Sequence, residues 1–145
     1  MNDTSVTPVS NITQDNATPA AGAKPIEVTD ATFEKEVMEA SKTMPVFLDV
    51  HAEWCEPCKA IAPIVEKFAT QDFAGKVKFV KLDADVNPEI IQKYGIRSIP
   101  TLMVFKDATV KVQQAGALGE PMMKDFINTY AFGTAGASVP MPMAA

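Results

Sequence analysis

The middle of the chain contains two strand patterns with a helical pattern between them. Residues 45–50, PVFLDV, are apolar at nearly every position, which is typical of a strand buried on both faces. Residues 76–85, KVKFVKLDAD, alternate between apolar and polar positions and predict a second central strand. Between them, apolar residues recur at helical spacing, at Ile61, Ile64, Val65 and Phe68. Strand, helix and strand in this order predict a right-handed crossover between parallel strands.

Shorter patterns precede and follow this central unit. Residues 25–28, PIEV, predict a short strand, after which Thr29 or Asp30 is expected to cap a helix. Residues 87–95, NPEIIQKYG, predict a short helix that stops at Gly95.

The last third of the chain completes the fold. The runs TLMVF (101–105) and VKVQQ (110–114) predict an antiparallel hairpin. A closing helix is indicated by an apolar stripe at Met123, Phe126, Ile127 and Tyr130. The order βαβαβαββα predicts an α/β protein with a central mixed sheet flanked by helices on both faces.

Neither end of the chain has apolar residues at helical or strand spacing. Residues 1–24 are rich in Thr, Asn, Ala and Pro, and residues 133–145 are rich in Gly, Ala and Pro. We therefore expect a disordered amino-terminal tail (1–24), one folded domain (25–132) and a flexible carboxyl-terminal tail (133–145).

Composition and charge narrow the class of protein. The chain has 145 residues and a formal net charge of −5, with scattered basic residues. We expect neither a nucleic-acid partner nor a membrane partner, because phosphate-rich surfaces bind clustered cations. The amino terminus has no apolar run typical of a secretory signal, and no segment has the roughly 18 apolar residues of a membrane span. A cytoplasmic monomer is the expected form.

Both cysteines lie in one short motif, HAEWCEPCKAIAP (51–63). The motif joins a predicted strand to a predicted helix, so Cys55 is expected at a helix amino terminus, where a thiolate is stabilised. Pro57 suits the first helical turn, and Cys58 is close enough in sequence to close a disulfide with Cys55. This spacing favours a redox pair.

Other uses of a cysteine pair fit this chain less well. Tetrahedral zinc needs four ligands and the chain has two cysteines and one histidine, so no metal is expected, although a site shared by two copies stays open. Haem attachment fails because Lys59 stands where the motif requires histidine. An inert structural pair is the remaining alternative.

Four motifs, DVHAEWCEPCKAIAP, VKFVKLDAD, YGIRSIPTLMVFK and AGAL, resemble the thioredoxin family in their order and separation. The resemblance covers residues 26–132. It implies the thioredoxin fold and reduction of protein disulfides by dithiol–disulfide exchange, with a role in redox homeostasis. It also implies an NADPH-linked thioredoxin reductase as electron donor and disulfide-containing proteins as substrates. No bound cofactor is expected beyond the Cys55–Cys58 disulfide.

The resemblance implies roles for individual residues. Cys55 corresponds to the exposed attacking thiol, Cys58 to the buried resolving thiol, Asp49 to a buried proton acceptor and Lys81 to the partner of Asp49. Pro100 corresponds to a proline that is cis in the family. The apolar rim that receives substrate corresponds to Trp54, Ile99, Pro100, Gly116 and Ala117.

Asp49 and His51 also carry expectations of their own. Desolvation in an apolar strand should raise the pKa of Asp49 and suit it to proton exchange, whereas a strand-end aspartate open to water is the alternative. His51 is expected to pack beside the motif, with a proton relay as the second hypothesis.

Two positions depart from the family pattern. The first is Glu56, which stands where glycine is usual. Glu56 and its neighbour Pro57 are expected to modulate the cysteine pair. The charge of Glu56 should raise the thiolate pKa slightly and lower the redox potential by at most about 20 mV. Ala108 replaces a common turn glycine, so the turn should not require positive φ.

Two rival functions share this fold. An oxidase or isomerase would stabilise the reduced pair strongly, and Glu56 and Pro57 offer no group for that purpose. A redox-independent binding subunit would use only the apolar rim around Trp54.

Overall fold

In the part of the chain that the structure describes, five strands form one mixed sheet. The computed structural model describes residues 23–133, so the predicted tails lie almost wholly outside the described residues. The strands are β1 (Ile26–Val28), β2 (Val46–His51), β3 (Lys78–Asp83), β4 (Thr101–Lys106) and β5 (Thr109–Ala115). Their order across the sheet is β1-β3-β2-β4-β5. β1, β3 and β2 are parallel, β4 pairs antiparallel with β2, and β5 pairs antiparallel with β4. The predicted parallel crossover and hairpin are confirmed.

Helical segments connect the strands in the predicted order. They are α1 (π-helical Glu34–Glu39 followed by a 3₁₀ turn, Ala40–Lys42), α2 (Glu56–Lys67, extended by a π-helical stretch, Phe68–Asp72), α3 (Pro88–Lys93) and α4 (Glu120–Phe132). Gly95 follows α3 at φ +60°, a conformation that favours glycine over other residues.

The two faces of the sheet bury separate cores. On one face, Phe47 and Leu102 pack with Phe68 of α2 and Ile127 of α4. On the other, strand residues pack against α1 and α3 in a cluster that includes Leu48, Leu82, Val37 and Ile90. Because successive strand residues point to opposite faces, Asp49 lies on the same face as Phe47, toward α2. The strand therefore directs this carboxyl toward the helix that carries the cysteines.

Thr29 or Asp30 was expected to cap the first helix, but the two residues act at different helices. The Thr29 hydroxyl accepts a hydrogen bond from the Thr32 N–H, at 3.2 Å, in the turn before α1. Asp30 instead accepts hydrogen bonds from the Glu89 and Ile90 N–H groups at the start of α3, each at 3.0 Å. Asp30 thus caps a helix 59 residues further along the chain.

The prediction for the hairpin turn is wrong. Lys106 pairs with Thr109, which leaves a loop of only Asp107 and Ala108. Both have positive φ, 55° and 61°. A two-residue hairpin requires this conformation to match strand twist. The turn is also held by Ser41, whose carbonyl accepts from the Asp107 N–H and whose hydroxyl accepts from the Ala108 N–H, each at 2.8 Å.

Candidate active site

The cysteine pair lies at the amino terminus of α2. Cys55 is the N-cap residue in an extended conformation, and it forms a disulfide with Cys58, with 5.3 Å between the two Cα atoms. The Cys58 N–H donates to the Cys55 Sγ at 3.2 Å. Unpaired N–H groups and the helix dipole favour negative charge at this position. The backbone is therefore arranged to stabilise a thiolate on Cys55.

Both cysteines are buried in this disulfide form. Cys55 is 3% exposed and Cys58 is 4% exposed, so the expectation that Cys55 is exposed is wrong. The reason is packing, because the two side chains form a small cluster with Ala52, against which Ile99 also packs.

Glu56 occupies the first turn of α2 and points away from the core. Its side chain is 82% exposed and pairs with Lys59, at 3.5 Å between Lys59 Nζ and Glu56 Oε2. An exposed pair of this kind interacts weakly. The neighbouring cation nevertheless offsets part of the negative charge that Glu56 brings near the cysteines.

Asp49 is buried below the cysteines. It is 1% exposed, which excludes the alternative of an aspartate open to water. Burial raises the pKa of Asp49 from 3.8 to about 6, because the charged form loses its hydration; the charges of His51 and Lys81 act in the opposite direction. Among residues 23–133, Asp49 Oδ1 has no hydrogen-bond partner. No hydrogen bond from this part of the chain therefore opposes the effect of burial at this oxygen.

Lys81 lies beside Asp49 on the neighbouring strand. The two residues are paired in register between β2 and β3, and both line an open cleft of about 360 Å³ that Cys58 also borders. Its positive charge lowers the pKa of Asp49, though less than His51 does.

His51 has a partner that the sequence did not indicate. Its Nε2 lies 3.1 Å from Glu27 Oε2 of β1, and the imidazole is only 18% exposed. It lines the same cleft as Asp49 and Cys58. Glu27 stands in the short run PIEV, where no sequence signal connects it with the cysteine motif.

Trp54 stands beside the cysteines and is 66% exposed. Its indole N–H donates to Asp85 Oδ2 at 2.9 Å. The sequence did not indicate Asp85 as the partner of Trp54, although Asp85 ends the run KVKFVKLDAD. The hydrogen bond fixes the orientation of a large exposed apolar side chain.

The other predicted rim residues come from the loop before β4 and the loop after β5. The Ile99–Pro100 peptide bond is cis, and Ile99 contacts the cysteine cluster. The Gly116 N–H donates to the Pro100 carbonyl at 2.8 Å, so Gly116 lies directly beside Pro100. Ala117 follows and is exposed. The structure therefore places Ile99 against the cysteine cluster and Gly116 next to Pro100.

Residues 23–133 contain neither a metal-binding cluster nor a membrane-spanning helix. No three His, Cys, Asp or Glu side chains there are grouped as a metal ion would require. No helix in this range is long and apolar enough to cross a membrane.

A disulfide at a helix amino terminus, next to a buried aspartate on a mixed α/β sheet, defines a thiol–disulfide oxidoreductase. The thioredoxin family model matches residues 24–129. Thioredoxin from Pseudomonas aeruginosa is 46% identical over 103 residues, which cover 71% of this chain and 93% of the relative. Thioredoxin 1 from Synechococcus elongatus is 54% identical over 80 residues (55% and 72%), and thioredoxin from Haemophilus influenzae is 42% identical over 105 residues (72% and 95%).

The chain belongs to the thioredoxin family. It is a protein-disulfide reductase that works by dithiol–disulfide exchange, as the sequence motifs predicted.

Proposed function

We propose that Cys55 is the attacking thiolate and Cys58 the resolving thiol of this reductase. The observation that carries the assignment is the position of Cys55 as N-cap of α2, with the Cys58 N–H donating to its sulfur. A thiolate at Cys55 is stabilised by that N–H and by the helix dipole, whereas Cys58 lies one turn inside the helix.

The reaction balances as two successive exchanges. The Cys55 thiolate attacks one sulfur of a substrate disulfide, which forms a mixed disulfide and releases the other substrate sulfur as a thiolate that takes a proton from solvent. Cys58 then loses its proton and attacks the Cys55 sulfur. This releases the second substrate thiol, leaves the Cys55–Cys58 disulfide and transfers two electrons in total to the substrate.

Asp49 is the proposed acceptor of the Cys58 proton. The two residues border one cleft, and a carboxyl whose pKa is raised to about 6 can accept and release a proton near neutral pH. Lys81, in register beside Asp49, is the proposed partner that favours the carboxylate form.

Substrate is proposed to bind the apolar rim around the cysteines. The support is the exposure of Trp54, the packing of Ile99 against the cluster of Ala52, Cys55 and Cys58, and the Pro100–Gly116 hydrogen bond. Ala117 extends this surface. Glu56 and Pro57, at the first turn of α2, modulate the pair, and Lys59 reduces the effect of the Glu56 charge.

Electrons are proposed to come from an NADPH-linked thioredoxin reductase, with no cofactor bound by the protein itself. The support is the cysteine pair, which can hold two electrons as a dithiol. We further propose a monomer in the cytoplasm, without nucleic-acid or membrane partners. A net charge of −5 and the absence of cysteines outside the motif support this assignment.

Insulin reduction with thioredoxin reductase and NADPH tests the proposal. The wild-type protein should turn over, and Cys55→Ser should abolish turnover because the nucleophile is lost. Cys58→Ser should stop after the first exchange and accumulate a mixed disulfide on Cys55, detected by mass spectrometry. Turnover by Cys55→Ser, or an adduct on Cys58 in place of Cys55, would contradict the assignment. The surface variant Lys42→Gln should behave as wild type.

A further inference from the structure

Three ionisable side chains form a row across the parallel part of the sheet. Glu27 of β1 pairs in register with Lys81 of β3, and Lys81 pairs with Asp49 of β2. Residues that are in register on neighbouring parallel strands point to the same face. An acid, a base and a second acid therefore lie side by side on the face that α2 covers.

The hydrogen bond between Glu27 and His51 passes over this row of side chains. Their strands are not neighbours, since β3 lies between β1 and β2. Two strand spacings amount to roughly 9–10 Å, yet Glu27 Oε2 and His51 Nε2 are 3.1 Å apart. The side chains must therefore reach toward each other over β3, where Lys81 stands.

The same bond determines which imidazole nitrogen is available. A carboxylate accepts hydrogen bonds and cannot donate them, so Nε2 carries the hydrogen that His51 donates to Glu27. Nδ1 is then the ring nitrogen that carries no hydrogen in the neutral imidazole.

His51 is close enough to Asp49 to influence it electrostatically. The residues are two apart on one strand, so they point to the same face and their Cα atoms are about 6.6 Å apart. Both border the cleft that reaches Cys58. Of the charges that act on Asp49, His51 has the largest effect, larger than that of Lys81.

We propose that His51, held by Glu27, is a positioning residue for proton transfer in this reductase: its cationic form keeps Asp49 as the carboxylate that accepts the Cys58 proton. This inference rests on the proposed roles of Asp49 and Cys58. Its consequence is that resolution of the mixed disulfide continues at more acidic pH than it would with an uncharged residue at position 51.

Other ionisable groups face the same region and must be kept constant in any test. From the loop, α2 and the neighbouring strands they are Glu53, Lys59, Glu27, Lys81 and Asp83, and a second cleft beside Asp49 adds Lys24 and Glu66. Replacing His51 alone keeps every one of these groups in the protein, while Glu27 loses its imidazole partner.

The direct test is titration of the Asp49 carboxyl by carbon NMR in the oxidised full-length protein. His51→Gln should move its midpoint to higher pH by about half to one pH unit, because a nearby positive charge is lost. His51→Lys retains a cation that can pair with Glu27 and should keep the midpoint near the wild-type position. Lys42→Gln removes one positive charge from the remote, exposed pair with Glu39 and should not move it.

A kinetic measurement gives the second readout. The rate at which the mixed disulfide resolves should fall about threefold in His51→Gln near pH 6, and the difference should narrow at pH 8. An unmoved Asp49 midpoint in His51→Gln, or an equal movement in His51→Lys, would overturn the inference and assign His51 to packing. Failure of the wild-type protein to reduce insulin at any pH would instead overturn the proposed function.

Discussion

Asp49 is a carboxyl group in the most deeply buried part of the sheet, and its ionisation has a free-energy cost. Its pKa is raised from 3.8 to about 6 by desolvation. Below pH 3.8 the folded and unfolded chains both hold the proton, so the group does not affect stability. Between pH 3.8 and about pH 6 the unfolded chain releases the Asp49 proton while the folded chain still holds it. The folded state therefore loses stability as pH rises through this range. Above about pH 6 the loss is complete and constant.

We therefore predict that Asp49→Asn removes a pH-dependent loss of stability. The free energy of unfolding of the variant, relative to wild type, should increase by about 3 kcal/mol from below pH 4 to pH 8. Urea denaturation of the oxidised proteins across this range measures the difference.

Asp125→Asn is the matched control for that experiment, since Asp125 is an exposed carboxyl on α4. Its stability relative to wild type should stay nearly constant with pH. A constant difference between Asp49→Asn and wild type would show that Asp49 does not carry the proposed proton.

At the residue scale, the sequence indicated which side chains are buried or reactive, but not the distant hydrogen-bond partners of His51 and Trp54. An aspartate in the run VFLDV is unusual enough to predict burial and a raised pKa. The pairing of His51 with Glu27, 24 residues away, depends on strand order and on two side chains reaching over β3. No local pattern contains that information.

The hairpin between β4 and β5 shows how tertiary contacts override a local preference. Ala108 adopts φ 61°, which a Cβ disfavours, in a turn held by two hydrogen bonds to Ser41. The sequence predicted a turn without positive φ because it did not reveal those bonds. The periodicity and length of the apolar runs predicted the two strands. The turn conformation depends on Ser41, which lies 67 positions from Ala108 in the sequence.

Ala108→Gly should stabilise the protein. Glycine adopts this conformation without steric cost, and its greater freedom in the unfolded chain offsets only part of the gain, so we expect an increase of about 0.5–1 kcal/mol in the free energy of unfolding. Thermal and urea denaturation measure it. Ala60→Gly, at an exposed position inside α2, should change stability in the opposite direction by about 1 kcal/mol. Destabilisation by both substitutions would contradict the strain assigned to the turn.

At the scale of the whole molecule, the first helical segment is joined to the centre of the sheet by a buried ion pair. Lys78, at the start of β3, is 5% exposed. Its Nζ donates to the Glu36 carbonyl at 2.9 Å and to Glu36 Oε1 at 2.6 Å. Such contacts link segments 42 residues apart, and the apolar pattern of either segment gives no sign of them. The architecture followed from periodicity, but the polar contacts between elements did not.

We predict that Glu36→Gln destabilises the protein by about 2–3 kcal/mol, because it leaves the Lys78 ammonium buried without its counter-charge. That loss is a large fraction of the roughly 5–15 kcal/mol by which a domain is stable. The double variant Glu36→Gln with Lys78→Met removes both charges, so its loss should be smaller than the sum of the two single losses. Equilibrium urea unfolding of the four proteins gives the coupling free energy.

The exposed pair between Glu39 and Lys42 provides the control on the same helical segment. Both side chains are more than half exposed, so Glu39→Gln should cost less than about 0.5 kcal/mol. Equal losses of stability in Glu36→Gln and Glu39→Gln would mean that the contribution of the Glu36–Lys78 pair does not depend on its burial. A large loss for Glu36→Gln alone, recovered in part by Lys78→Met, would mean that one desolvated charge links α1 to the sheet whose strand β2 leads into the cysteine motif.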